Sequence, residues 1–278
     1  MPRPKKSLSQ NFLSDPRILA RIADAVGAGS DDTVLEVGPG PGGLTRELLK
    51  HAGRVVAIEK DRALAALLSV DPSIRPFASF ELHEGDALAL DWYSLAGPDA
   101  IICGNIPYHI TSPLIDKALQ PPRVRRVVFL MQKEVADRIV APPGGEEYGA
   151  LSIGVQAVAQ VEKLFVVAKG SFHPVPKVDS AVVRFTPLAQ PLIEDREVAD
   201  FRRFTVGMFS YRRKQLTRGI RELTGFSADE AATAIARALA AMPADSLPFS
   251  ADSRPEQVAP LGFVTLCRAV LDAGWRPA

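Results

Sequence analysis

The chain of 278 residues has only two cysteines, Cys103 and Cys267, and four histidines. With no Cys/His pairs at ligand spacing, this excludes a disulfide scaffold and argues against a structural metal site, and it fits a reducing compartment. Long apolar runs are also missing. None is long enough to span a bilayer, so no membrane partner is expected. The first residues, Met1-Pro-Arg-Pro-Lys-Lys6, are basic with no apolar stretch behind them, unlike a secretory signal, so a cytoplasmic location is expected. Charge of one sign is scarce too: 33 basic and 32 acidic side chains leave a net +1, so any affinity for nucleic acid must come from how charge is distributed. What is present is ordinary for a globular chain, with 47% hydrophobic and 23% charged residues and length for one large or two modest domains.

Through the first two-thirds, strand and helix signals alternate. Asp15-Pro16 opens a helix that runs through Ile18, Ile22 and Val26 and closes at Gly27. Strands are expected at 33–37, 54–59, 80–83, 100–103 and 127–130, with helices at 44–51, 61–70, 112–119 and 133–140 between and after them. This alternation predicts an α/β fold with a mostly parallel, doubly wound sheet. Two β-rich runs, 161–168 and 181–185, are read as a closing hairpin. Beyond Pro187 the pattern turns helical, at 201–210, 213–223, 228–241 and 255–273. The expected division is therefore a cofactor-binding domain over 1–187 and a smaller all-helical domain over 188–278.

A glycine-rich turn, Glu36-Val-Gly38-Pro-Gly40-Pro-Gly42-Gly43, follows the first sheet strand and lets backbone approach a ligand closely. Glu59 ends the next strand, where a carboxylate can accept ribose hydroxyls, and Asp86 follows the third, placed to accept from an adenine amine. These features permit NAD or S-adenosylmethionine. The glycines alternate too tightly for the usual dinucleotide cradle, which favours S-adenosylmethionine.

The tetrapeptide Asn105-Ile106-Pro107-Tyr108 sharpens that choice, because it follows an apolar strand at the edge where open α/β sheets bind ligands. The amino group of adenine is a poor nucleophile, since its lone pair is delocalised into the ring. Two acceptors that hold both N–H bonds favour a pyramidal nitrogen. The Asn105 amide oxygen and a main-chain carbonyl in Ile106-Pro107 are such a pair; Pro107 stiffens the turn, and Tyr108 offers a face for stacking a base. Phe172, in the Pro-braced segment Phe172–Ser180, is expected to close on the other face of that base, with Lys177 beside it for phosphate. Arg202, Arg203, Arg212, Arg213 and Lys214, followed by Arg218 and Arg221 and interleaved with Phe204, Phe209 and Tyr211, form a nearly single-signed run suited to RNA. Arg3, Lys5 and Lys6 add a basic arm.

Lys6-Ser-Leu-Ser-Gln-Asn-Phe-Leu13, the Glu36–Gly42 loop, Asn105–Tyr108, Phe172–Ser180 and Phe209-Ser-Tyr-Arg-Arg-Lys214 occur in the order found in the ribosomal RNA adenine N6,N6-dimethyltransferase family, which the chain resembles over nearly its whole length. The resemblance implies a Rossmann-like, S-adenosylmethionine-dependent methyltransferase sheet with a helical C-terminal domain. In the branch it most resembles, the reaction dimethylates two adjacent adenines in the 3′-terminal hairpin loop of small-subunit rRNA, within a pre-ribosomal particle. It also implies that Asn11 and Leu13 cover the cofactor, Gly38 meets its methionine part, Glu59 the ribose and Asp86 the adenine, and that Asn105 touches both cofactor and target amine. A monomer is expected. Ser9 stands where the family usually has glycine.

Overall fold

The computed structural model describes residues 10–277, so Arg3, Lys5, Lys6 and Ser9 lie outside the described residues. The chain divides into two units, 1–136 with 160–187, and 137–159 with 188–278. Residues 137–159, read from the sequence as part of the first domain, thus group with the C-terminal helices.

The first unit is built on β1 (Phe12–Leu13), α1 (Pro16–Val26), β2 (Thr33–Val37), α2 (Gly43–Leu48), β3 (Arg54–Glu59), α3 (Arg62–Ser69), β4 (Phe80–Glu84), α4 (Trp92–Ala96), β5 (Ile101–Asn105), α5 (Thr111–Ala118) and β6 (Arg126–Gln132). After α6 (Lys133–Val140) and α7 (Ala150–Gln156) come β7 (Ala159–Val167), β8 (Phe172–His173) and β9 (Ser180–Pro187). Helix α1 forms where the caps predict it: the Asp15 carboxylate accepts from Arg17 N, and Gly27 ends it at φ +64°. The seven-stranded sheet runs β4-β3-β2-β5-β6-β9-β7, with β2 to β6 parallel and β9 antiparallel to β6. The two runs read as a hairpin are indeed neighbours at this edge. Val34, Val55, Ile101, Cys103, Val128 and Val182 are buried with Ile22 and Val26 of α1 and Leu44 and Leu48 of α2, while Leu35, Val56, Ile102 and Val127 at the alternate positions are buried on the other face, as a parallel sheet requires.

After β2 the chain builds outward through β3 and β4, and after β5 outward through β6, so β2 and β5 flank the point where strand order reverses. Such a crevice is where this kind of sheet binds ligands. The glycine turn leaves β2 and the tetrapeptide leaves β5, both at this point.

The second unit contains α8 (Val198–Ser210), α9 (Leu216–Thr224), α10 (Ala228–Ala240) and α11 (Pro260–Asp272). The helix expected over 255–273 splits into a short 3₁₀ turn, Pro255–Gln257, and α11, which begins at the second proline, where a missing N–H costs nothing. Phe204 is fully buried, edge-on to Phe263 and Trp275, and Phe209 stacks on Phe263 at 5.8 Å. Phe204, read as a partner of an RNA-binding run, is a core residue of this unit and Phe209 is partly buried against Phe263: the periodicity of α8 turns both inward while Arg202 and Arg203 face outward.

Candidate active site

A cavity at the switch point is lined by Asn11, Leu13, Gly38, Glu59, Asp86, Asn105, Ile106, Pro107 and Tyr108, among others, which brings together nine residues that sequence reasoning selected separately. Gly38 adopts φ +70°, and a Cβ there would meet nothing within 4 Å, so its backbone lies open to the cavity. Gly40 (φ +57°) lies under Phe12, whose ring would stand 3.2 Å from an added Cβ.

Glu59 is 5% exposed and accepts from two backbone amides, Gly40 N at 3.0 Å on one oxygen and Asp61 N at 2.8 Å on the other. Each oxygen keeps a lone pair for a further donor. Burial pushes this carboxyl above its ordinary range, against the pull of those amides. Beneath it Glu36 is enclosed and takes a 2.6 Å bond from the Thr45 hydroxyl; desolvation, with the Glu59 charge adding to it, raises its pKa to about 7. Asp86 is held below the usual carboxylate range, first by the Lys60 ammonium at 2.7 Å and then by Leu88 N. The wall thus presents carboxylates beside the apolar Ile58, Ala87 and Ile106, an acceptor set that fits a cationic nucleoside.

Strand β1 crosses this cavity as a strap. It pairs antiparallel with β8, Ser14 N donates to Ser171 O, and Gln10 Nε2 reaches Asp61 Oδ2 at 3.1 Å. Asn105 Nδ2 donates to the Asn11 carbonyl at 2.9 Å. Because a carbonyl only accepts, this contact fixes which end of the amide faces the strap, and Oδ1 is turned away as the remaining acceptor. Of the two neighbouring carbonyls, that of Pro107 accepts from Ile110 N and the Thr111 hydroxyl, whereas among the described residues no donor reaches Ile106 O. Ile106 itself is fixed by its amide, which donates to Leu130 O. Tyr108, half-buried, has its hydroxyl 2.9 Å from Ser180 Oγ.

One expectation needs correction. Phe172 is not among the residues that line the cavity: it is 3% exposed and packs with Leu13, its partner in the β1–β8 pair, in the core cluster. Arg212 donates to Glu146 O at 2.8 Å beside Glu256 and keeps 40% of its side chain exposed, and Arg213, Lys214 and Lys177 are exposed. Sequence reasoning gave no role to Lys60, Thr45 or Ser180. The one signal available was their position, next to Glu59, inside the helix after the glycines, and at the end of the Phe172 segment.

A family model described as ribosomal RNA adenine dimethylase matches residues 1–248. The chain belongs to this family. A protein of Acidithiobacillus ferrooxidans named ribosomal RNA small subunit methyltransferase A is 39% identical, covering 99% of this chain and 98% of that one. A protein of the same name from Pseudomonas aeruginosa is 41% identical over 83% of this chain and 86% of its own length. Among solved structures, a dimethyladenosine transferase from Plasmodium falciparum superposes with TM-score 0.78 at 27% identity, covering 96% of this chain and all of that one. The 23S rRNA methyltransferase ErmE gives 0.68, also at 27% identity, over 94% and 99%. Members of the ribosomal RNA adenine dimethylase family are methyltransferases with a Rossmann-like sheet, and this chain has that sheet and its helical C-terminal region.

Proposed function

We propose that the protein transfers methyl groups from S-adenosylmethionine to the N6 atoms of two adjacent adenines in the 3′-terminal hairpin loop of small-subunit rRNA, twice on each. The observation that carries this reading is the Asn105 amide, anchored on the strap so that Oδ1 and the Ile106 carbonyl remain as paired acceptors beside the cavity. The near-full-length relatives named for the small ribosomal subunit support the choice of RNA.

The cofactor supplies a methyl group already activated by a sulfonium centre. Glu59 accepts the ribose hydroxyls, Asp86 the adenine amine, the Gly38 backbone borders the methionine part, and Asn11 and Leu13 cover it. Asn105 Oδ1 and Ile106 O accept the two N6 hydrogens, which holds the nitrogen pyramidal with its lone pair toward the methyl. Pro107 fixes the turn, and Tyr108 stacks on the extruded base, a contribution of about 1–3 kcal/mol. Orientation then lowers the barrier more than acid–base chemistry does. The neutral thioether leaves as the N–C bond forms, and the methylated amine sheds one proton to solvent; the nitrogen then keeps one hydrogen, for which a single acceptor suffices. Lys177, Arg202, Arg203, Arg213 and Lys214 contact phosphates, the last four on the helical RNA-binding domain. The protein acts as a monomer in the cytoplasm on a pre-ribosomal particle; among the described residues no helix is long and apolar enough to cross a membrane.

The test is transfer of labelled methyl to small subunits lacking the modification, compared with large subunits and free rRNA. Dimethyladenosine in the small-subunit RNA is expected. Label confined to the large subunit would favour the activity named for ErmE instead.

A further inference from the structure

Ser180 ends the Phe172–Ser180 segment and opens β9, opposite Gln132 of β6. It is fully buried, and its Oγ stands 2.9 Å from the Tyr108 hydroxyl. A buried hydroxyl needs a partner, and here each hydroxyl supplies the other's. Tyr108 itself lies in the 3₁₀ turn Tyr108–Ile110, outside the sheet. The bond from Ile110 N to Pro107 O sets the backbone of that turn but leaves the ring free to rotate about two single bonds. The far end of the ring is therefore tied to a sheet strand, and Tyr108 is among the residues that line the cavity.

We infer that Ser180 is a positioning residue for methyl transfer: its hydroxyl pins the Tyr108 phenol so that the ring presents a fixed face to the target base. This rests on the adenine-methylating reading above. It also gives the Phe172–Ser180 segment a task at the cavity that Phe172, buried in the core, does not perform. Desolvation raises the Tyr108 hydroxyl above its ordinary pKa, so it remains a neutral donor or acceptor for this bond at physiological pH.

The experiment uses the full chain as wild type, Ser180→Ala, Tyr108→Phe and the double variant. It measures kcat and KM for methyl transfer to unmodified small subunits, S-adenosylhomocysteine affinity, and the emission of 2-aminopurine placed at the target position of an RNA hairpin. Wild type should quench the probe as it stacks in the cavity. Ser180→Ala should lower kcat/KM about tenfold, the effect of losing one hydrogen bond and leaving a buried hydroxyl unpaired. It should restore part of the emission and leave S-adenosylhomocysteine affinity unchanged. Tyr108→Phe keeps the stacking face and should show a similar loss. The double variant should be no worse than either single one, because both remove the same bond. If Ser180→Ala melts early, Tyr108→Phe carries the test alone. Wild-type kinetics and quenching in Ser180→Ala or Tyr108→Phe, losses that multiply in the double variant, or a parallel loss of S-adenosylhomocysteine affinity would overturn the inference. A wild-type protein that methylates no adenine overturns the underlying reading and the inference with it, whereas an active wild type with indifferent variants overturns the inference alone.

Discussion

Replacing Asn105 by Asp isolates what orients the site. The new side chain keeps an oxygen to accept from the target amine, so a bare count of acceptors expects activity to survive. The structure argues otherwise, because the lost NH₂ is the group that donates to the Asn11 carbonyl at 2.9 Å. In its place a carboxylate oxygen would face a carbonyl oxygen in a half-buried position. Losing the bond costs about 1 kcal/mol, and setting a charge against that carbonyl oxygen adds about 2 kcal/mol. Together this is about two orders of magnitude in kcat/KM. The deficit has a signature, since the introduced carboxyl regains a donor for the Asn11 carbonyl once it is protonated. Burial and the facing carbonyl raise the pKa of the introduced acid, so activity relative to wild type should recover as pH falls from about 8 to about 6. The assay is kcat/KM for methyl transfer to unmodified small subunits across that range. A variant with wild-type activity throughout, or a deficit indifferent to pH, would refute the claim that the strap sets the amide.

Glu36 titrates at about 7 in the folded protein against an ordinary 4.5, so folding binds a proton and stability falls as pH rises through that window. Without cofactor, Glu36→Gln should therefore gain on wild type between those limits, by at most about 3 kcal/mol at pH 8; denaturant melts at pH 5 and 8 check this, and a gain equal at both would contradict it. A Cβ at Gly104 would sit 2.3 Å from the Val37 carbonyl, where β2 and β5 meet, so Gly104→Ala should destabilise by about 3 kcal/mol, read as a lowered Tm. Neutralising exposed Lys177 or Arg213 should reduce the salt dependence of RNA binding by about one unit of slope each, while Arg212→Ala should chiefly lower the Tm, because its guanidinium already bonds Glu146.

The sheet and most of its helices were legible because long apolar runs and caps repeat at fixed periods, as at Asp15 and Gly27. Helix α4 was missed although Asp91 caps it, since five residues are too few to display a period. Helix α7 escaped because Gly149 offers no capping side chain and the seven residues Ala150–Gln156 are too few to display a period. The two-residue β1–β8 pair has no local signature at all, and it is this pair that decides where Phe172 points. The cavity residues Gly38, Glu59, Asp86 and Asn105 were legible because each ends or follows a sheet strand on the same edge. The anchoring of Asn105 by Asn11 and of Tyr108 by Ser180 was not, since those contacts join residues 94 and 72 positions apart.

The most direct measurement is a crystal structure with S-adenosylhomocysteine and an RNA hairpin carrying the target adenine. The N6 atom is expected within about 3 Å of both Asn105 Oδ1 and Ile106 O, with the ring over Tyr108. A purine seated elsewhere, or an Asn105 amide rotated off the Asn11 carbonyl with its oxygen away from N6, would contradict the account.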